Sequence, residues 1–151
     1  MKQFFILLTV LTISFSSKAQ TAEDSVKTVV NNLFTAMIKS DTSLLKTCFA
    51  DSMVLQTIVR GKNGGAEVKS ETAEGFVKSI GSLKPGSADE RISFGNVLID
   101  GPLALVWTPY KFYFNGQFSH CGVNSFHLVR FKDGWKIHYL IDTRRRGNGE
   151  W

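Results

Sequence analysis

The side chains best able to transfer protons lie in the last third of the chain: His120, His127, His138 and Asp142. On a regular last strand, His138 and Asp142 would share one face, opposite the apolar face that carries Trp135, Ile137, Tyr139 and Ile141. We therefore expect the apolar face to enter the core and His138 and Asp142 to point outward. His120 beside Cys121 could form a metal site or a thiolate–imidazole pair. The short His/Cys spacing typical of zinc is absent, so we favour structural histidines and predict no metal and no cofactor.

These residues belong to three strand-like runs joined by Asn115-Gly116 and by residues 132–134, which predict an antiparallel meander. Apolar residues at three- and four-residue steps predict a helix over 21–40, with Thr21 as its N-cap. Asp41 can cap a short second helix. The remaining predicted elements are a strand near 53–59, a glycine-rich turn at 61–65 leading to 66–69, a third helix near 70–80, and strands near 90–99, 103–114, 117–131 and 135–143. No Gly-Lys-Ser/Thr ending follows the glycine cluster, so it indicates a hairpin turn and not a phosphate loop.

The first 20 residues have the features of a secretory signal: Lys2, then an apolar run over 4–13, then a small, polar stretch ending near Ala19 or Gln20. The run is shorter than the roughly 20 apolar residues that span a bilayer. No cysteine follows it as a lipid-anchor site. We predict a soluble protein, exported to the periplasm or secreted, with no membrane contact after the signal is removed.

Composition is that of one ordinary globular domain, with 151 residues, 43% hydrophobic residues and a mean hydropathy of -0.03. Removal of residues 1–20 would lower the net charge from +5 to +3. That excess equals the triplet Arg144-Arg145-Arg146. Duplex nucleic acid requires a broad basic stripe, so we predict no nucleic-acid partner and interpret the triplet as a solvated tail. Arg144 alone continues the strand and could sit at a pocket rim.

The two cysteines, Cys48 and Cys121, could form one disulfide in an exported protein. Cys48 falls on the apolar side of the short helix and Cys121 falls in a strand. Buried cysteines of this kind usually behave as small hydrophobic residues, so we favour free thiols.

The order of elements, helix, short helix, hairpin, helix and four long strands, resembles the nuclear-transport-factor-2-like superfamily. Residues 49–54 (Phe-Ala-Asp-Ser-Met-Val) are similar to the helix-to-strand junction of its SnoaL-like members. Residues 107–110, 119–122, 134–137 and 141–145 resemble exported bacterial members, some of which carry a lumazine-binding label. The resemblance implies an α+β domain over 21–146: a cone-shaped, curved antiparallel sheet covered by about three N-terminal helices. Residues 147–151 would be a tail.

The resemblance also implies a conical, apolar cavity enclosed by the sheet and the first helix. The predicted wall residues, with Arg144 at the rim, are Phe34, Met37, Trp107, Tyr110, Phe112, Phe126 and Tyr139. Pro109 cannot donate a ladder hydrogen bond, so we expect a bulge that turns Trp107 and Tyr110 to the same side, and Gly122 is expected to mark a second irregularity. The alternative is a cone that these side chains fill completely.

Ketosteroid isomerase-like members use a strand carboxylate as the base together with a tyrosine and a protonated acid. Here the base position falls near Gln56 or Thr57, and the first helix offers no tyrosine, so isomerase chemistry is not matched. SnoaL-like cyclases use His and Asp, for which His120 and Asp142 are the candidates. We therefore predict an exported domain that binds a small, partly apolar molecule, and a homodimer formed through the outer sheet face. The alternatives are a cofactor-independent cyclase or isomerase, and a structural or protein-interaction dimer module.

Overall fold

The computed structural model describes residues 6–147, with side chains from residue 21 onward. The side chains of the predicted signal segment and most of the predicted tail thus lie outside the described residues. The helices are α1 (Ile6–Lys39), α2 (Thr42–Thr47) and α3 (Ala73–Gly81). The strands are β1 (Phe49–Arg60), β2 (Ala66–Glu71), β3 (Ala88–Ile92), β4 (Val97–Asp100), β5 (Leu103–Phe114), β6 (Gln117–Phe131) and β7 (Gly134–Thr143). In the described part of the chain, no helix is both long and apolar enough to cross a membrane.

The predicted amphipathic face of α1 is confirmed between residues 26 and 37. Val26, Val30 and Leu33 are fully buried or nearly so, and Phe34 and Met37 complete the stripe. The predicted N-cap at Thr21 is wrong, because α1 begins upstream at Ile6 and no glycine or proline between them stops the helix. The second cap is confirmed: the Asp41 carboxylate accepts a hydrogen bond from the Leu44 amide at 2.9 Å.

The sheet runs in the order β2-β1-β7-β6-β5-β3, and β4 also pairs with β5. Its pairings are antiparallel except that of β1 with β7, which is parallel. The sheet is thus mixed, and the antiparallel prediction is corrected at this one pairing. The alternation of apolar and polar residues along a strand shows which face is buried. It does not show whether a paired strand that is distant in sequence runs parallel or antiparallel. Helix α1 contacts β3 and β7, and α3 contacts β1, so the helices cover one face.

The strand predicted near 90–99 is interrupted at residues 93–96, where β3 ends and β4 begins. Pro109 of β5 lies opposite this break, with its carbonyl accepting from the Ser93 amide at 3.0 Å. The nitrogen that lacks a hydrogen faces the same interrupted edge, where no ladder bond is required. Alternation along β5 stays regular, so the predicted parity shift at Pro109 is wrong. Trp107 faces outward and Tyr110 faces inward.

Two register shifts do change where side chains point. His127 pairs with Tyr139 and Leu128 pairs with Ile137, which leaves His138 as the extra residue in β7. Beyond this bulge Leu140 and Asp142 are buried, so the predicted outward orientation of Asp142 is wrong.

The second shift lies between β5 and β6, where Phe112 pairs with His120 but Tyr113 pairs with Phe118. The extra residue is therefore Ser119. Gly122 keeps regular pairing with Tyr110, so the irregularity predicted at Gly122 lies three residues earlier. Both Cys48 and Cys121 are free thiols.

Candidate functional site

A cavity of about 140 Å³ lies between the helices and the inner face of the sheet. Its apolar walls include Phe34 and Met37 of α1, Phe76 of α3 and Phe112 of β5. An apolar cavity of about 150 Å³ is known to hold one benzene molecule. The space therefore suits a molecule, or part of a molecule, about the size of a single six-membered ring.

Asp142 is the most heavily bonded polar group of the cavity. It is 7% exposed. Its Oδ1 accepts from the Thr57 hydroxyl at 2.6 Å, and its Oδ2 accepts from the Tyr110 hydroxyl at 3.0 Å and from Arg144 Nε at 3.1 Å. Arg144 also donates from Nη2 to Thr57 Oγ1 at 3.1 Å. A buried carboxylate with three donors and a cationic partner is the form in which burial of a charge is tolerated.

Gly122 allows this cluster to assemble. A Cβ atom at position 122 would lie 1.8 Å from the Thr143 carbonyl oxygen and 2.9 Å from Tyr110 Cε1. The missing side chain lets the Tyr110 ring cross β6, so that its hydroxyl also reaches the Thr143 carbonyl at 2.9 Å. Burial, followed by the negative charges of Asp142 and Glu90 and the hydrogen bond to Asp142, keeps the Tyr110 pKa far above its ordinary value.

Glu90 of β3 is a second carboxyl group in the cavity, and its environment is opposite to that of Asp142. Its Oε1 accepts from Asn124 Nδ2 at 2.8 Å, and no ion pair joins it to a cation among residues 21–147. Burial raises the pKa of Glu90 to about 7, and the nearby negative charge of Asp142 adds to the increase, while the Asn124 hydrogen bond opposes it. Near neutral pH, Glu90 can therefore both hold and release a proton.

His120 lies where the cavity opens. Its ring packs edge-on against Tyr110, with centroids 5.7 Å apart, and tilts against Phe112 at 5.0 Å. Burial, followed by the positive charge of Arg144, lowers its pKa, so the ring is neutral at pH 7. Its Nδ1 is 3.0 Å from Ser119 Oγ. Because the Asp142 oxygens are taken by Thr57, Tyr110 and Arg144, His120 and Asp142 line one cavity without forming the direct pair considered from the sequence.

A wider groove of about 810 Å³ adjoins the cavity at this mouth. Four of its nine lining residues are arginines: Arg60, Arg144, Arg145 and Arg146. The groove and the cavity share Phe112, His120 and Arg144. The solvated-tail interpretation of the triplet is therefore wrong for Arg145, which forms a β-bridge with Cys121. Arg144, which was expected to continue the strand, donates its amide to the Ile58 carbonyl.

The structure brings most of the predicted site residues together. Those lining the cavity are Phe34, Met37, Tyr110, Phe112, His120, Asp142 and Arg144, and ligand binding by them stays a prediction. Phe126 is fully buried in the core, where its ring meets Phe34 edge-on.

Three of the predicted wall residues do not line the cavity: Phe126, which is buried in the core, and two residues of the outer face. Trp107 is 44% exposed on the outer face because β5 keeps its alternation. Tyr139 also faces outward, next to the bulge at His138, and donates its hydroxyl to Gln56 Oε1 at 2.7 Å. Their predicted places in the cavity wall are therefore corrected.

Glu90, Asn124 and Thr57 were missed by the sequence reasoning. Two of them could have been found from the alternation of side chains along a strand. Glu90 lies two residues from both Ala88 and Ile92, and Asn124 lies two residues before the core residue Phe126. Period-two alternation therefore puts Glu90 and Asn124 on the inner face. Thr57 was considered only as a failed base position. Among the described residues, no group of three or more His, Cys, Asp or Glu is placed to hold a metal ion.

Comparison with solved structures identifies the fold. A domain of unknown function with a cystatin-like fold from Nostoc punctiforme superposes with a TM-score of 0.64 at 14% identity, over 85% of this chain and 80% of that one. An NTF2-like protein of unknown function from Shewanella baltica gives 0.63 at 11% identity, over 82% and 94%. A ketosteroid isomerase-like protein from Erwinia carotovora gives 0.60 at 13% identity, over 83% and 97%.

These likenesses show that the chain has the nuclear-transport-factor-2-like fold, as the order of its elements suggested. At such low sequence identity, they show the fold of this chain and give no information about its activity. No family model matches the sequence, and no curated protein matches it. The lumazine-binding label gains no support from these comparisons.

Proposed function

We propose that this protein binds a small, partly apolar molecule inside the cone. The observation that carries the proposal is the ring-sized cavity, whose aromatic and aliphatic walls meet a small set of polar groups at Asp142, Glu90 and Asn124. A mostly apolar pocket with a few convergent polar groups is the usual form of a small-ligand site. A purely structural module would need no such space, and a cone filled by side chains would leave none.

Filling the cavity tests this proposal. Met37 is 6% exposed and lines the space, so Met37→Trp should occupy it. The matched control is Leu98→Trp, at an exposed position of β4 outside the cavity. Thermal-shift screening against single-ring compounds should give stabilising ligands for wild type and for Leu98→Trp but not for Met37→Trp. Equal responses from all three proteins would refute binding in the cone. Mass spectrometry of molecules retained during native purification would then identify the natural ligand.

A second candidate function, cofactor-independent proton transfer, is favoured by one observation. Burial raises the pKa of Glu90 to about 7 against the opposing charge of Arg144, and Glu90 faces the cavity without an ion pair among the described residues, which suits a general base near neutral pH. The likeness to a ketosteroid isomerase-like protein is compatible with this chemistry but does not establish it. Asp142 is the weaker candidate base, because its lone pairs are already engaged by three donors.

Deuterium exchange next to the carbonyl of cyclohexanone, followed by NMR in D₂O, tests this candidate. Wild type should accelerate exchange, and Glu90→Gln should abolish the acceleration. Asp89→Asn removes a neighbouring carboxylate that is already paired with Arg91 and should retain the acceleration. If Glu90→Gln were as active as wild type, Glu90 would not be the base, and His120→Gln would become the next variant to measure.

We also propose that the protein is exported, on the strength of the basic, apolar and small-residue pattern of residues 1–20. The mature chain would begin close to Gln20 or Thr21. N-terminal sequencing of protein recovered from the periplasm or the medium should find that start. Recovery of the whole chain with Met1 intact in the cytoplasm would contradict export.

We further propose a homodimer through the outer sheet face. Its support is the exposed indole of Trp107, which lies among other outward side chains of the central strands, including Val123, His127 and Tyr139. Sedimentation should show a dimer for wild type and a monomer for Trp107→Glu. Val68→Glu, which changes an equally exposed residue on the edge strand β2, should remain dimeric. A wild-type monomer at high concentration would overturn this assembly.

A further inference from the structure

The groove at the mouth of the cone carries more positive charge than any described neighbour neutralises. Arg144 is engaged by Asp142. Arg60, Arg145 and Arg146 have no ion pair with an acid among the described residues, and none of the described residues that line the groove carries a carboxylate. Arginine does not lose its proton in proteins, so these charges persist at every physiological pH.

Arg60, Arg144 and Arg145 project from backbone positions that belong to the sheet or are hydrogen-bonded to it. Arg60 ends β1. The Arg144 amide donates to the Ile58 carbonyl at 3.1 Å, and Arg145 exchanges two backbone hydrogen bonds with Cys121, at 2.8 and 3.0 Å. The guanidinium groups thus start from fixed backbone positions around one groove, which reduces the entropy lost when they bind a common partner.

One donor in this groove has no described partner. Of the buried side-chain nitrogen and oxygen atoms in the described part of the chain, Arg145 Nε and Ser40 Oγ make no hydrogen bond. A buried, charged donor without an acceptor is costly, and a guanidinium group recognises planar or tetrahedral oxyanions through paired N–H donors. An acceptor that suits the arginines of the groove therefore has the chemistry of a carboxylate or a phosphate.

The apolar residues of the groove indicate what is attached to that anion. Val59, Phe112 and Phe114 line it together with the arginines, and Phe112, His120 and Arg144 continue into the cavity. We propose that the groove binds the anionic end of an organic acid, either a carboxylate or a phosphate ester, whose ring-sized apolar part enters the cone. This inference rests on the proposed binding function, and it adds the chemical class of the ligand.

Matched single-ring probes test it: benzoate against benzamide, and phenyl phosphate against inorganic phosphate, measured by NMR titration of the full chain. Either charged ring should bind at least tenfold more tightly than benzamide, and its affinity should fall as NaCl is raised. Arg145→Gln and Arg60→Gln should each reduce that affinity about tenfold. The side chains changed make no described fold-stabilising contact, so both variants should fold.

Arg130→Gln is the matched control. Arg130 is exposed and unpaired among the described residues, and it lies on β6 roughly 30 Å from His120, at about 3.3 Å per strand residue. It should leave the affinity unchanged. Equal losses in Arg130→Gln and Arg145→Gln would indicate a general charge effect and overturn the proposal.

The remaining outcomes separate this inference from the proposed function. Equal affinity for benzoate and benzamide, both lost in Met37→Trp, would overturn the anion site and keep the cavity. Binding of phenyl phosphate that requires Arg145 but keeps its full affinity in Met37→Trp would keep the anion site and refute the cone as the binding space. Glu150 lies outside the described residues, four positions after Arg146. If benzoate bound only to Glu150→Gln, the groove's partner would be the chain's own carboxylate, and the proposal would be overturned.

Discussion

The interior of the cone and the groove at its mouth accommodate charged side chains in different ways. The interior withdraws carboxyl groups from water, whereas Arg60, Arg144 and Arg146 of the groove are exposed. Inside, the Asp142 carboxylate accepts hydrogen bonds from three donors, one of them the guanidinium group of Arg144, whereas Glu90 has one amide donor, and burial raises its pKa to about 7, so that it can become neutral. In the groove the arginines cannot become neutral. The comparison teaches that an acid can adapt its charge to a site, whereas a cluster of arginines keeps its charge and can attract an anion from solution.

The largest expected effect comes from the residue that lets the interior polar cluster form. Gly122→Ala would place a methyl group 1.8 Å from the Thr143 carbonyl oxygen. Both atoms belong to rigid strands, so we expect a loss of more than about 3 kcal/mol in the free energy of unfolding. Urea denaturation measures it, with Gly65→Ala as the control, since nothing lies within 4 Å of that position. A neutral Gly122→Ala would show that β6 and β7 are not packed closely here.

The next effect tests the paired carboxylate. Asp142→Ala would leave Arg144 without its ion pair and Thr57 without its acceptor, for a loss of about 3 kcal/mol in unfolding free energy. Asp100→Ala removes an exposed acid from β4 and should change stability by less than about 0.5 kcal/mol. If the two variants were equally stable, the interior would tolerate an unpaired arginine, and the contrast with the groove would disappear.

The unpaired carboxyl group predicts a pH dependence of smaller size. The Glu90 pKa is raised from 4.5 to about 7 in the folded state, so between these values the folded protein keeps a proton that the unfolded chain releases. Stability contributed by this group is complete below pH 4.5, falls as the pH rises to about 7 and then levels off. Because the residue is only partly buried, we expect about 2 kcal/mol over this window. Glu90→Gln should abolish the slope, and an unchanged slope would place the titration elsewhere.

The smallest effect concerns the groove, and its sign is opposite. Arg145→Gln removes a like charge from the cluster. In low salt and without ligand, the free energy of unfolding should therefore stay the same or rise by less than about 0.5 kcal/mol, and the melting temperature should stay the same or rise slightly. Added NaCl should reduce the difference between variant and wild type. A clear loss of stability in Arg145→Gln would mean that the arginine supports the fold, and that groove and interior are not distinct.

Local patterns in the sequence were sufficient for most of the fold. The burial stripe of α1, the cap at Asp41 and the turns around Gly116 and Gly134 depend on residues close together in the chain, so spacing and residue type predicted them. Alternation also placed Tyr110 and Phe112 on a common face once β5 was known to be regular. The candidate site was predicted only in part, because its residues come from eight separate elements.

The sequence by itself determined the helices, the strands, the turns and the apolar residues of the core, since short-range periodicity encodes which side of an element is buried. Only the tertiary structure decided that β1 pairs in parallel with β7, that a bulge at His138 turns Asp142 inward, and that Arg60 meets the triplet at one groove. Each of these depends on strand register between distant segments, and a shift of one residue reverses which side chains face the cavity. The charged residues of the site can therefore be identified from the sequence, but their positions in the fold depend on how the strands pair.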